Sequence, residues 1–295
     1  MLSTMGRVDR VEGVRRRSVL RRWSSGRTSL LVGVFAVGVV VLVALTAPWI
    51  APHDPIHQYT GRELASPGHG FLLGSDELGR DVLSRTITAC RYALRTDVLG
   101  VLIGSVIGAV IGLYIGYFGK WLDSVVMRLT DVAFGFPEII FGVLIVALVG
   151  PGQAAITWAI AIFNIPVFIR IARGSALRLR ARPFVEAAVA AGLRDREIVV
   201  RHILPNSLPT FVVAVGLALP DAVLLDAGLS FIGLGAPPPA PTLGGMLEEA
   251  SSLLDYPWIA IVPGVVLCFY VMGLNFLADG LRDVLDPRRR AGRAQ

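Results

Sequence analysis

The sequence predicts an all-α polytopic membrane protein with six transmembrane helices, and three observations lead there. Of its 295 residues, 54% are hydrophobic and 17% charged, with a mean hydropathy of +0.65. That leaves too few polar side chains to coat a soluble globule of this size. Apolar runs long enough to cross a bilayer recur along the chain, and the basic residues gather on one side of them. A net charge of +6 therefore marks a cytoplasmic face rather than a nucleic-acid partner.

The first 28 residues carry eight arginines against Asp9 and Glu12, and an apolar stretch follows from Ser29 to Ile50. A signal peptide has a shorter apolar core and a small-residue cleavage site, so this reads as an uncleaved first span entered from the cytoplasm. About 22 residues at 1.5 Å each cross a hydrocarbon core of roughly 30 Å. Five further spans follow, Val98 to Phe118, Val125 to Val149, Ala154 to Ala172, Leu208 to Leu229 and Trp258 to Ala278. An even number returns the C-terminus to the cytoplasm.

The chain thus divides into a basic tail (1–28), a first helix (29–50), an extracytoplasmic loop (51–97), a core of five spans (98–281) and a cytoplasmic tail (282–295). Within the first loop, the mixed apolar and arginine pattern from Leu78 to Arg95 suits a helix lying at the outer interface. The core holds a cytoplasmic loop over 173–207 and an extracytoplasmic loop over 230–257. Basic residues test this orientation, because the retained side carries the excess of Lys and Arg. It places 23 of 28 inside, and the exceptions, Arg62, Arg80, Arg85, Arg91 and Arg95, are offset by six acids in the same loop.

In the second span Gly100, Gly104, Gly108, Gly112 and Gly116 recur every fourth residue, lining one helix face. Missing side chains let another helix approach backbone to backbone, either within the chain or from a partner subunit. Pro137, Pro166, Pro220 and Pro263 should kink or break their spans. Asp131, Glu138, Asp221 and Asp226 lie within or near span ends, where ionisable groups are costly. Interhelical hydrogen bonding and a proton relay through Asp131 or Asp221 are both open. The second would make the chain a proton-coupled secondary transporter.

Catalytic groups are missing. No Gly-x4-Gly-Lys-Ser/Thr loop occurs, nor a His-Glu-x-x-His pair or Gly-x-Ser-x-Gly elbow, so no ATP hydrolysis or hydrolase chemistry is expected here. Pro52 and Pro55 deny His53 and His57 the helical spacing of a metal pair. No metal or cofactor is expected. Cys90 and Cys268 sit in unlike settings and are not expected to pair.

Between the fourth and fifth spans, Arg182 to Asn206 predicts two short helices. Pro183 suits a first turn, alanines continue it and Gly192 can end it in the left-handed conformation. Asp195 can cap a second helix that stops before Pro205. Phe184, Val185, Ile198 and Val199 have no soluble domain of their own to cover them. An amphipathic hairpin on the inner leaflet and a handle for another protein are equally open on these grounds.

The spacing Glu186-Ala187-Ala188, Gly192, Ile203-x-Pro205 resembles the EAA motif of ABC importer permeases. Leu73 to Arg85, Met127 to Asp131 and Leu229 to Gly235 are similar to segments of the dipeptide, oligopeptide and nickel branch, and the likeness runs from the first span to Asp286-Pro287. Asp226-Ala-Gly228 departs from it, since relatives commonly have Glu-Ala-Ser there. The resemblance implies a type I ABC importer permease fold in a bacterial cytoplasmic membrane. It also implies that Phe184, Glu186, Ala187, Ala188, Gly192, Asp195 and Pro205 form a coupling element that docks on an ATPase. The implied partners are a second homologous permease, two ATP-binding subunits and an extracytoplasmic solute-binding protein. The substrate-binding residues stay unassigned.

Overall fold

A computed structural model of the protein describes residues 5–68 and 70–285, with side chains from residue 27 onward. The side chains of the arginines before Arg27 lie outside what is described, as do Arg288, Arg289, Arg290, Arg293 and Asp286-Pro287. The described chain is helical, α1 (Met5–Ile50), α2 (Val82–Phe118), α3 (Lys120–Phe134), α4 (Glu138–Val149), α5 (Gln153–Arg180), α6 (Pro183–Ala190), α7 (Asp195–Ile198), α8 (Leu204–Phe231), α9 (Leu243–Ala250) and α10 (Trp258–Leu285). A π-helical segment, Val199–Ile203, joins α7 to α8.

Five helices are long and apolar enough to cross a membrane, and α3 with α4 makes a sixth only as a broken span, bent by 98°. The third span expected over Val125 to Val149 is thus broken at the proline expected to kink or break it, Pro137. Pro137 has no N–H to donate and bars the residue before it from the helical region, so the chain turns at Gly135–Pro137. Twelve residues of α4 rise only about 18 Å and cannot cross alone.

The interfacial helix expected over Leu78 to Arg95 is also corrected. Residues 82–118 form one continuous helix of 37 residues, begun by Asp81, whose side chain accepts from the Ser84 N–H. Arg85 is buried at 2% exposure, so the mixed pattern that suggested a bilayer surface reflects a charge paired inside the protein.

The core sits on two helix seams. Along α2 against α5, a Cβ on Gly100 would stand 2.7 Å from the Ile160 side chain, on Gly108 2.6 Å from the Ile165 carbonyl and on Gly116 2.8 Å from the Arg173 carbonyl. On Gly104 and Gly112 it would overlap the carbonyls of Ala161 and Ile169. All five glycines therefore face α5. Lipid supplies no hydrophobic drive between helices, so the dispersion gained at this close approach is what holds them together. A second seam joins α1 to α10 through Gly33 against Leu277, Gly273 against Ala36 and Gly280 against Leu30.

Candidate functional site

At the end of the bundle where α2 finishes and α8 begins, α6, α7 and the π segment form a braced hairpin. Gly192 ends α6 at φ +77°, the left-handed region open to glycine. Val185, Ile198 and Ile203 are buried against Leu113, Tyr117, Ala172, Ala176 and Phe211. The apolar side chains expected to lack cover thus divide into two sets. Val185 and Ile198 are covered by the chain's own helices and Val199 partly so, whereas Phe184 stays 41% exposed; Val189 and Val200, outside that expectation, are exposed as well.

Asp195 does not cap α7, whose N-cap is Arg194. It accepts instead from the Tyr117 hydroxyl at 2.8 Å, tying the hairpin to α2. Arg180 donates to the Tyr117 carbonyl at 2.8 Å. Nor does the second helix stop before Pro205. The π segment widens the turn ahead of the ring, so the axis runs on through Pro205 and Pro209 as one apolar helix, Asp195–Phe231. A proline removes a hydrogen bond and crowds the carbonyl four residues back, and a π turn relieves both. Of the residues expected to couple, Phe184, Glu186, Ala187, Gly192, Asp195 and Pro205 are exposed and Ala188 is buried.

The membrane-embedded acids fall into separate settings. Asp131 is ion-paired with Arg170 at 2.6 Å, and Arg170 also lies 4.3 Å over the Phe134 ring. Asp123 pairs with Arg173, so two acid–arginine pairs strap α3 to α5. Asp226 is buried and accepts from the Ser230 hydroxyl at 3.1 Å. Asp97 lies fully buried within electrostatic reach of it, with neither oxygen hydrogen-bonded. Glu138 and Asp221 instead line an open cleft of about 390 Å³ between α4, α5 and α8.

Sequence reasoning missed an ionic cluster at the far end. Arg80 and Arg85 both donate to Asp76 Oδ2, at 2.6 and 2.8 Å, and both reach Glu249 of α9, at 3.1 and 2.9 Å. Burial pushes the Glu249 carboxyl above its usual range, with the Arg80 charge pulling the other way. The signal was Arg80 and Arg85 following Asp76 at four and nine residues, but the partner lies 164 residues beyond Arg85. Nearby, His53 meets Asp81 at 3.3 Å. Among the described residues no group of three metal-binding side chains assembles. Cys90 is buried, Cys268 is exposed and both are free.

A helical bundle with a broken third span, an uninterrupted glycine seam and a hairpin presented at one end defines a polytopic membrane protein. The chain belongs to the family of binding-protein-dependent transport system inner membrane components, whose pattern matches residues 108–291. The N-terminal TM domain of oligopeptide transport permease C matches residues 17–67. The glutathione transport system permease protein GsiD of Pectobacterium atrosepticum is 37% identical over 277 residues, covering 93% of this chain and 92% of its own. GsiD of Escherichia coli O6:K15:H31 is 38% identical, covering 91% and 89%. A structure described as an inward-facing conformation of the MetNI methionine ABC transporter shares the fold, with a TM-score of 0.57 at 21% identity over 68% of this chain and 96% of that one. The protein is a multi-pass ABC importer permease of type I fold.

Proposed function

We propose that the protein forms half of the channel of an ATP-driven importer of short peptides, and that separate ATP-hydrolysing subunits drive it through the 182–206 hairpin. The observation that carries this is the two-sidedness of the hairpin. One face is locked to α2, α5 and α8 by Val185, Ile198 and Ile203, while Phe184, Glu186 and Val189 project outward. A load on the outer face is therefore delivered to the spans rather than absorbed by a loose loop. An amphipathic segment resting on lipid would turn its apolar residues to one side and its charges to the other. Here the apolar face of α6 that carries Val185 and Ala188 is already covered by the chain's own helices and is not free to rest on lipid.

The arginine excess supports a cytoplasmic position for the hairpin and both termini. A second homologous permease completes the passage, two ATP-binding subunits dock on the paired hairpins and an extracytoplasmic binding protein delivers the solute. ATP hydrolysis resides on the docked subunits. Transport proceeds by alternating access, and the ATPases bias it only by binding one state more tightly than the other. The peptide assignment rests on the oligopeptide permease match and the glutathione-transport relatives. A proton-coupled mechanism through Asp131 is disfavoured by its pairing with Arg170.

The test is a complex reconstituted in proteoliposomes with its binding protein. Phe184→Asp and Glu186→Lys should abolish co-purification of the ATPase and ATP-dependent uptake of alanyl-alanine while leaving membrane insertion intact. Normal uptake by both variants would overturn the role of the hairpin. Uptake that persists without ATPase subunits and collapses with a protonophore would favour the proton-coupled alternative.

A further inference from the structure

The cleft between α4, α5 and α8 carries two carboxylates for which coupling has no use. Glu138 opens α4 and Asp221 lies on α8, and both line the same cleft. Among the described residues neither has an ion pair or hydrogen bond, whereas Asp123 and Asp131 of α3 are each paired with an arginine of α5. Asp221 stands about 15 Å along the helix from Phe231, which is half the thickness of a hydrocarbon core. Ionised side chains at that depth do not face lipid, so the open side of the cleft faces water or the partner permease.

A third acceptor stands with them. Asn164 is only 7% exposed, and its amide donates to the Ile160 carbonyl at 2.9 Å. That leaves its side-chain carbonyl oxygen without a partner on the cleft wall. No basic side chain lines the cleft, whose remaining wall is mostly apolar, with Val167, Val213 and Leu217 among its members. A primary ammonium has three N–H donors and no acceptor, which matches two carboxylates and an amide oxygen. The volume of about 390 Å³ falls at the small end of sites that enclose organic ligands.

We propose that this cleft is the passage site for a primary ammonium carried by the solute. Glu138, Asp221 and Asn164 receive the charged amino terminus of a short peptide, and the apolar wall receives its body. The peptide identity rests on the importer assignment above, whereas the cation selectivity of the cleft does not.

The experiment separates the two. In the reconstituted complex carrying Cys268→Ser, with Cys90 buried, Leu217→Cys is modified with a trimethylammonium-bearing and a sulfonate-bearing methanethiosulfonate of similar size. Field focusing in a cleft of one charge sign should favour the cationic reagent by about tenfold or more. Glu138→Gln with Asp221→Asn should bring the ratio near parity, and Glu138→Asp with Asp221→Glu should restore it. In the native-cleft complex, uptake of alanyl-alanine should fall about tenfold in the neutral double variant, the same loss of charge attraction, with binding-protein affinity unchanged. Equal rates with both acids present, no reaction with either reagent, or undiminished uptake would overturn the proposal. A parent complex that shows the cation preference but no ATP-dependent uptake would sink the importer assignment and leave the cation site standing.

Discussion

Gly192 shows how a single backbone angle can set a working surface. Its φ is +77° and a Cβ there would meet nothing within 4 Å, so any effect of substitution is conformational rather than steric. A β-branched residue pays about 1–2 kcal/mol to stay left-handed, whereas asparagine tolerates that region. Gly192→Val should therefore re-angle α6 against α7 and reduce ATP-driven uptake, with Gly192→Asn retaining most of it. Equal uptake by the two variants would show that the turn does not matter. Glu249 is a residue of the opposite kind, important for its partners. Its removal leaves Arg80 and Arg85, both about 2% exposed, with Asp76 as their remaining acid. Breaking a buried pair from one side costs about 3 kcal/mol or more, so Glu249→Ala should lower the thermal unfolding midpoint in detergent markedly. Glu249→Gln, which keeps the acceptor oxygen, should lower it less.

At the scale of elements, the α2–α5 seam is the main contact of the bundle, and its tolerance is small. A Cβ on Gly108 already stands 2.6 Å from a backbone carbonyl and 2.7 Å from the Phe168 Cβ, neither of which can swing aside. Gly108→Ala should destabilise the chain by about 2 kcal/mol through overpacking. Gly108→Leu should prevent assembly, read as loss of the monodisperse complex in size-exclusion chromatography. The comparison position is Gly38, where a Cβ meets nothing within 4 Å, and Gly38→Ala should be silent. The broken α3–α4 pair is the other element with a visible cause. Pro137 ends one axis and starts another, and the two acid–arginine pairs hold the first half along α5.

In the whole molecule, the hairpin is joined to the spans by buried apolar side chains and by the Tyr117–Asp195 hydrogen bond. Tyr117→Phe removes that bond while keeping the ring, at a cost of about 1 kcal/mol for an exposed acceptor. The expected outcome is a folded complex that hydrolyses ATP but imports less solute per ATP. Unchanged stoichiometry would mean that the apolar contacts alone carry the load. Much of this organisation was legible in advance. Span number, the glycine face and the two-helix hairpin turning at Gly192 follow from hydropathy, from a four-residue period and from local turn chemistry, all short-range properties of the chain. What only the tertiary structure decided depends on residues far apart in sequence. These are the burial of Arg85 on Glu249 and Asp76, the cover given to Val185 and Ile198, the passage of α8 through Pro205, and the meeting of Glu138, Asn164 and Asp221 in one cleft. Local pattern fixes which face of a helix is apolar, polar or bare, but which face meets which is settled only when the helices pack.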